Sequence, residues 1–156
     1  MPKRIGEVLI DAGLISLEQL QEALKEQKIT KEFIGSILVR RGHIKEDTLL
    51  EILSQQFDIP YLRIKDRYID LALVRRFPHS LISKYECFPI EQNAELIRLA
   101  IVNPLNALAI AEIEKAVRPL KLEVVLTPRE DMLEIIRRYR QYRNRFIREL
   151  IEKKEE

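Results

Sequence analysis

The sequence has little of the residue types that build disulfide and metal sites. Its 156 residues include one cysteine, two histidines, four glycines and no tryptophan. A single cysteine cannot form an internal disulfide, and Cys87 stands in an apolar segment typical of a buried strand. His43 and His79 are far apart in the sequence and neither belongs to a His/Cys cluster, so we predict no metal site.

Motifs for nucleotide hydrolysis and nucleophilic catalysis are also missing. The chain has no Gly-Lys pair, which excludes the phosphate-binding loop Gly-x-x-x-x-Gly-Lys-Ser/Thr. Its serines have no glycine-flanked nucleophile elbow, and no nucleophile stands beside a recognisable base. We therefore predict that the chain is not an enzyme and uses no cofactor.

Net charge and hydropathy exclude further classes. The 27 basic and 25 acidic residues leave a net charge of +2, which gives no reason to expect a nucleic-acid partner. The sequence lacks the run of about 18 apolar residues that a transmembrane helix requires. The first residues lead directly into an amphipathic segment and lack the apolar core of a signal peptide. We expect a cytoplasmic protein without a transmembrane segment.

All four glycines belong to an internal repeat with a spacing of 29 residues. Residues 4–15 align with residues 33–44, so that Gly6 and Gly13 of the first copy correspond to Gly35 and Gly42 of the second. Downstream of the glycines, each copy continues with two leucines and a glutamine at the same spacing: Leu20, Leu24, Gln27 and Leu49, Leu53, Gln56. Such a duplication predicts two copies of one helical unit, and two like units suit a ligand with two equivalent halves.

Apolar spacing predicts four short helices in residues 1–58, the first predicted domain. Gly13 and Gly42 fall where a helix should end in the left-handed conformation that glycine adopts without strain. Ser16 followed by Gln19 predicts a capping box at the start of the second helix.

The pattern changes in residues 59–128, the second predicted domain. A helix is predicted over 71–77, a hairpin of strands over 87–91 and 96–102, a helix over 105–117 and a third strand over 120–126, parallel to the second. Thr127 is predicted to cap a long final helix over 129–156, the C-terminal helix or linker. The predicted fold class is α+β, with a lobe of four short helices formed by a tandem helical repeat, a small three-stranded α/β lobe and a long C-terminal helix.

The first copy of the repeat suggests a binding site. Arg4 and Gly6 stand at the start of a helix, where backbone N–H groups and the helix dipole favour an anion. Leu20, Leu24 and Gln27 share one helix face, so the leucines can lie under a base while the glutamine amide contacts its edge. Leucines at this spacing are also typical of a helix core, and a glycine between helices also permits close packing.

The motif Arg-hydrophobic-Gly, followed by a second glycine and by Leu, Leu and Gln, resembles a known family when it occurs twice in register. It is similar to the N-terminal regulatory domain, of the MshEN type, of type II secretion and type IV pilus assembly ATPases. Residues 99–104 also resemble the family strand that ends in Asp-Pro. The resemblance implies a helical lobe beside a small α/β lobe, and some family members bind cyclic di-GMP.

Ligand-binding residues implied by the resemblance lie in both copies. Those of the first copy are Arg4, Ile5, Gly6, Glu7, Leu20, Leu24 and Gln27. Those of the second copy and of the later strand are Phe33, Ile34, Gly35, Ser36, Leu49, Leu53, Gln56 and Asn103. In this reading arginine contacts phosphate or stacks on guanine, the glycine backbone approaches the phosphates, the leucines hold the bases and the glutamines fix their edges.

The second copy departs from the family pattern. Phe33 replaces an arginine, Ser36 stands where an acidic residue is frequent, and Asn103 replaces an aspartate. A phenylalanine can still stack on guanine, and Arg40 or Arg41 can supply positive charge nearby. The loss of charge-assisted hydrogen bonds at these positions should weaken the ligand.

Two alternatives to a cyclic di-GMP receptor stay open. The resemblance also implies a docking module that links the ATPase core to an inner-membrane platform protein without binding nucleotide, and that reaches the inner membrane through this partner. The final helix carries six arginines interleaved with aromatic residues, over 137–148, a combination that suits nucleic acid or an anionic membrane. Arginine-rich helices are more often solvated faces, so no nucleic-acid partner is expected.

Overall fold

The structure is a computed structural model that describes residues 4–155 and divides into two compact units, the first ending at Gln56 and the second beginning at Phe57. The first unit is helical. Its helices are α1 (Ile5–Asp11), α2 (Leu17–Thr30), α3 (Ile34–Arg40) and α4 (Glu46–Phe57). The predicted lobe of four short helices is therefore confirmed, and α3 packs against both α1 and α2.

Both copies of the repeat end their first helix in the same way. Gly13 and Gly42 have φ angles of +73° and +79°, in the left-handed region predicted for them. The next residue donates its N–H back into the helix: Leu14 to the Leu9 carbonyl at 3.0 Å and His43 to the Leu38 carbonyl at 2.9 Å. This Schellman arrangement satisfies the last carbonyls of α1 and α3 and turns the chain into the next helix.

The capping box at the start of α2 is confirmed. The Gln19 backbone N–H donates to Ser16 Oγ at 3.1 Å, and the Ser16 N–H donates to Gln19 Oε1 at 2.9 Å. Two of the N–H groups that a helix start leaves without an acceptor are thereby satisfied.

The second unit contains a three-stranded sheet and four helices within the described residues. Its elements in chain order are α5 (Leu71–Arg76), α6 (His79–Tyr85), β1 (Cys87–Gln92), β2 (Leu96–Ile101), α7 (Ala107–Val117), β3 (Lys121–Leu126) and α8 (Arg129–Glu155). The sheet order is β1-β2-β3, with β1 antiparallel and β3 parallel to β2, as predicted. Tyr61 adds a parallel bridge to Leu126 at the β3 edge.

Helix α8 covers the sheet with its first three turns. Met132, Ile135 and Tyr139 are buried on the same face as Phe88 of β1, whose ring meets that of Tyr139 edge-on. From Arg140 to Lys154 every residue of α8 is exposed. Across residues 4–155, no helix combines the length and the apolar character needed to cross a membrane.

One helix of the second unit was not predicted, and one predicted cap is wrong. The predicted helix over 71–77 ends before Pro78, but Pro78 is also the N-cap of the unpredicted α6, because a proline has no N–H to leave unsatisfied at a helix start. Thr127 does not cap α8: its hydroxyl is buried without a partner in the described structure, and its N–H extends the sheet to the Ile101 carbonyl at 3.0 Å. The helix begins after Pro128 instead.

Candidate functional site

The strongest sign of the duplication in the first unit is a repeated contact between glycine and leucine. A Cβ atom placed on Gly6 would lie 2.7 Å from Cδ1 of Leu20, and one placed on Gly35 would lie 2.8 Å from Cδ2 of Leu49. In each copy a buried glycine of the short helix therefore lets a leucine of the following helix close onto the backbone. Packing alone requires these glycines, and the leucines fill the space beside them.

Arg4 and Phe33 occupy equivalent positions at the starts of α1 and α3. Both have extended backbone conformations, with φ and ψ of −68° and 152° for Arg4 and −65° and 134° for Phe33. Arg4 is exposed, whereas Phe33 is half-buried. The Phe33 ring lies beside Gly35, because a Cβ atom placed on Gly35 would be 3.4 Å from Cε1 of Phe33. The two copies thus present a cation and an aromatic ring from the same place.

The helix-dipole argument for an anion site is not supported by the lengths of these helices. Helices α1 and α3 have seven residues each, about two turns. A helix this short aligns few peptide dipoles, so the first turn attracts an anion only weakly. The exposed side chain of Arg4 is therefore a stronger candidate for a phosphate contact than the helix dipole.

The two copies differ in how much of their second leucine is exposed. Leu24 has an exposed fraction of 41%, whereas Leu53 has 1%. Leu24 therefore offers apolar surface to a ligand and Leu53 does not. Leu20 and Leu49 are both buried, at 9% and 5%, as their contacts with the glycines require.

Gln27 and Gln56 are both half-buried. Gln27 donates its Nε2 to the Glu32 carbonyl at 3.2 Å, across the turn that joins α2 to α3. The amide that the sequence assigns to a base edge is thus already fixed to the backbone through Nε2, which leaves Oε1 as the atom of this amide that could accept from a ligand.

Arg40 and Arg41 are held by acidic residues of α2 and of the turn that follows it. Glu26 accepts from Arg40 Nη2 and from Arg41 Nε, both at 2.8 Å. Glu32 and Glu22 accept further bonds from these arginines, at 3.2 Å and 3.3 Å. The expectation that Arg40 or Arg41 supplies charge for a ligand is not supported, because both are already paired.

The electrostatics of this cluster agree with its geometry. The hydrogen bond from Arg40, followed by that from Arg41, lowers the pKa of Glu26 from its ordinary value of 4.5. The same bond to Glu26 raises the pKa of Arg40. The sequence contained a signal for this cluster, since Glu22 and Glu26 are four residues apart and lie on one face of α2.

The remaining predicted site residues fall into three groups. Ile5 and Ile34 are buried in the first unit, and Glu7 and Ser36 are exposed there. Asn103 belongs to the second unit, where its Oδ1 accepts the Leu105 N–H at 2.9 Å at the turn after β2. The structure therefore assigns Asn103 a turn-forming contact, and its role toward a ligand stays a prediction.

One polar contact between the copies was not predicted. Gln19 Nε2 lies 3.2 Å from Nδ1 of His43. Because the Gln19 amide nitrogen only donates, Nδ1 accepts, and Nε2 of the same ring is buried without a partner in the described structure. His43 thus helps to join the copies, a contact that the repeat could not indicate because Leu14 takes the place of His43 in the first copy.

The fold and these paired contacts define a small α+β domain with a tandem helical repeat. The residues of the repeat are candidates for binding a ligand. The family model of the MshEN domain matches residues 57–145, the greater part of the chain. The chain belongs to the MshEN domain family. This match lies in the second unit. The similarity of the first unit, with its repeats, to known proteins is shown by the comparisons with whole proteins and with solved structures.

Curated relatives include type IV pilus assembly ATPases. The chain is 30% identical over 139 residues to PilB of Myxococcus xanthus and 28% identical over 114 residues to PilB of Thermus thermophilus. These alignments cover 89% and 72% of this chain but only 24% and 13% of the two ATPases. The matched parts are N-terminal regions, outside the catalytic core of these ATPases.

Solved structures of the same fold include MshE with cdg (cyclic di-GMP) and the N-terminal domain of XpsE. MshE has a TM-score of 0.79 and 26% identity, covering 88% of this chain and 99% of that chain. The N-terminal domain of XpsE has a TM-score of 0.68 and 16% identity, covering 88% of this chain and 98% of that chain. The second match shows the fold alone.

Proposed function

We propose that this chain is a regulatory domain of a type II secretion or type IV pilus ATPase and binds cyclic di-GMP through the two repeats of its first unit. The observation that carries the proposal is the repeated contact of Gly6 with Leu20 and of Gly35 with Leu49. Two like surfaces suit a ligand made of two identical nucleotide halves. The similarity to MshE, which was solved with cdg, supports the same ligand.

The first repeat supplies the stronger half of the proposed site. The exposed Arg4 pairs with a phosphate or lays its planar guanidinium on guanine. Leu24 offers apolar surface under the base, and Leu20, fixed against Gly6, holds the helix that carries it. Gln27 presents its Oε1 atom, an acceptor that matches the N–H donors on the edge of guanine.

The second repeat supplies the weaker half. Phe33 offers its ring for stacking but no charge-assisted bond to phosphate. Leu53 is buried and presents no surface, so the base has less apolar area to lie on. Loss of one charge-assisted hydrogen bond costs about 1.5–3 kcal/mol, which lowers affinity by about ten- to a hundredfold. Binding of cyclic di-GMP should therefore be weaker than in a domain with two arginines.

Regulation requires that the ligand favour one state of the domain over another. The chain spans about a quarter or less of the pilus ATPases that it matches, so the ATPase core is the partner on which the ligand would act. Bound nucleotide that joins the two repeats would restrain α1 and α3 together, and that restraint is what the rest of the ATPase would sense.

The proposal is tested by calorimetric titration of the chain with cyclic di-GMP, with GMP and cyclic di-AMP as controls. Arg4→Ala should weaken binding at least about tenfold. Arg145→Ala is the matched control, because Arg145 is an exposed arginine of α8 and its loss changes the net charge equally. No saturable heat at millimolar ligand, or an equal loss in both variants, would exclude these repeats as the receptor.

A further inference from the structure

The last part of α8 carries apolar side chains that stay substantially exposed in their own unit. Phe146, Ile147, Leu150 and Ile151 have exposed fractions between 40% and 54%. A helix segment surrounded only by water is usually polar on all faces, and contiguous apolar surface indicates a binding partner. Of these four, Phe146 meets the Arg75 guanidinium 4.1 Å from its ring centre, so it is already partly covered by α5.

Beside the first half of α8 lies a groove. It has a volume of about 280 Å³ between α6 and α8. Its floor includes the buried Ile82 and Ile136, and Leu133, with an exposed fraction of 48%, forms part of its wall. Arg137 and Arg140 line the same groove. An apolar floor with cations beside it suits a side chain or helix that brings both apolar and acidic groups.

The groove and two of the four exposed residues, Ile147 and Ile151, lie on one side of α8, whereas Phe146 and Leu150 lie on other faces. Leu133, Arg140 and Ile147 are seven residues apart, and Ile151 follows one turn later. Residues at this spacing share a helix face. The stripe from 133 to 151, which we call the outer stripe, is about 27 Å long at 1.5 Å per residue, the length of five helical turns.

The charge around the outer stripe is positive. The acidic residue of the groove, Glu86, is held by Arg129 Nη2 at 2.9 Å, and Glu134 is held by Arg137. Arg140 and Arg143 are exposed beside the stripe. The acids near the groove are thus neutralised while arginines remain exposed to a partner.

We propose that the groove and the outer stripe form a docking surface for an acidic amphipathic helix of a partner protein. Such a helix lays apolar residues at i, i+3, i+4 and i+7 into a groove and places its carboxylates beside the flanking arginines. A membrane surface fits less well, because the groove between α6 and α8 is concave and a flat bilayer surface cannot enter it. The inference lies outside the nucleotide site and does not depend on it.

The probe is a fluorescent synthetic peptide of about five helical turns with leucines at heptad spacing and glutamates beside them. Its anisotropy is measured against the full chain. Two control peptides replace the glutamates by lysine or the leucines by serine. The acidic amphipathic peptide should bind saturably, and neither control peptide should bind.

Variants of the chain distinguish docking at the outer stripe from nonspecific electrostatic attraction of the acidic peptide. Arg140→Glu should weaken peptide binding at least about fivefold, and Ile147→Ser should weaken it as well. Arg145→Glu makes the same charge change five residues away, roughly 140° around α8, and should change affinity less than about twofold. All three positions are exposed, and thermal melts confirm that each variant folds.

Two results would overturn the proposal. One is an equal loss of affinity in Arg140→Glu and Arg145→Glu, which would show attraction to net charge without a defined surface. The other is binding to anionic phospholipid vesicles that Ile147→Ser abolishes, with no binding of the acidic peptide. Cyclic di-GMP titration of the same variants should be unchanged, so failure of docking and failure of the nucleotide proposal remain distinguishable.

Discussion

Arg63 and Asp131 form a two-pronged ion pair in the second unit, with Arg63 Nε 3.0 Å from Oδ2 and Nη2 2.8 Å from Oδ1. The Asp131 side chain is fully buried at the first turn of α8, while Arg63 stays partly exposed. Oδ2 also accepts the Lys65 N–H at 3.3 Å. This pair joins the segment before α5 to the helix that covers the sheet.

Asp131→Asn should lower the free energy of unfolding by about 2 kcal/mol at pH 7, because a charge-assisted pair at a buried carboxyl is lost. Burial alone raises the pKa of Asp131, but the hydrogen bonds from Arg63 and Lys65 outweigh it and hold the pKa below its ordinary value of 3.8. Because the pKa of Asp131 is lowered on folding, its ionised carboxylate stabilises the fold above about pH 3.8. This stabilisation is lost as the pH falls further and the carboxylate is protonated.

The measurement is denaturant unfolding of both proteins between pH 7 and pH 3. The difference between them should shrink as pH falls below about 3.8. Glu130→Gln, an exposed neighbour that loses the same charge, serves as the control and should be nearly neutral. A difference that is the same at both ends of the pH range would contradict the assigned role of Asp131.

Gly6→Ala should destabilise the first unit by about 1 kcal/mol, because the overlap with Leu20 outweighs the better helix propensity of alanine. In a Leu20→Ala background the same change should be neutral or stabilising, since the opposing side chain is gone. Gly13→Ala is the control: its cost comes from a φ of +73°, with nothing near its Cβ, and should be the same in both backgrounds. Equal costs for Gly6→Ala in both backgrounds would refute the packing explanation.

Phe33→Arg should tighten cyclic di-GMP binding by about tenfold, the equivalent of about 1.4 kcal/mol. The backbone at position 33 already matches that of Arg4, so the new guanidinium starts from an equivalent place. Calorimetry against the unmodified chain gives the answer, and Phe33→Leu controls for loss of the ring. If Phe33→Arg and Phe33→Leu weaken binding alike, the aromatic ring itself is the contact.

Arg40→Ala should change cyclic di-GMP affinity less than about twofold, in contrast with Arg4→Ala. The reason is that the Arg40 guanidinium is engaged by Glu26 and Glu32. The two arginine variants carry the same net charge, so each controls for the other in one set of titrations. A loss of affinity in Arg40→Ala as large as in Arg4→Ala would show that the ligand displaces Glu26 and Glu32 from Arg40.

Cys87 should be unreactive in the folded chain. Burial raises the pKa of its thiol to about 12, and Sγ donates to the Leu81 carbonyl at 3.3 Å. Alkylation at pH 8 should therefore be at least about a hundredfold slower in buffer than in denaturant, because the thiolate is the reactive form. Ser83→Cys, an exposed position of α6, should label rapidly in buffer and shows that the reagent is active.

Much of the fold could be predicted because its signals are local. Gly13 and Gly42 mark helix ends, and Ser16 with Gln19 marks a helix start, since these contacts join residues a few positions apart. The hairpin and the parallel third strand also followed from short apolar runs separated by turn residues. Helix α6 was missed because the proline before it is compatible with both the end of one helix and the start of the next.

The candidate site could be predicted less completely because exposure and pairing depend on distant residues. Leu24 and Leu53 hold the same place in the repeat, yet one is exposed and the other buried. The positions of Arg40 and Arg41 in the repeat do not show whether these side chains are paired, but in the structure both donate hydrogen bonds to Glu26 of α2. The repeat gives the positions of these residues and says nothing of their neighbours in space.

By itself, the sequence determined that this chain contains two copies of a helical unit, an α+β lobe and a long final helix, because periodicity, capping and turn residues act over one or two turns. Only the tertiary structure decided that Leu20 fills the space beside Gly6, that Asp131 is neutralised by Arg63, and that one side of α8 stays uncovered. These properties depend on which surfaces meet, and surfaces far apart in sequence meet only when the whole chain has packed.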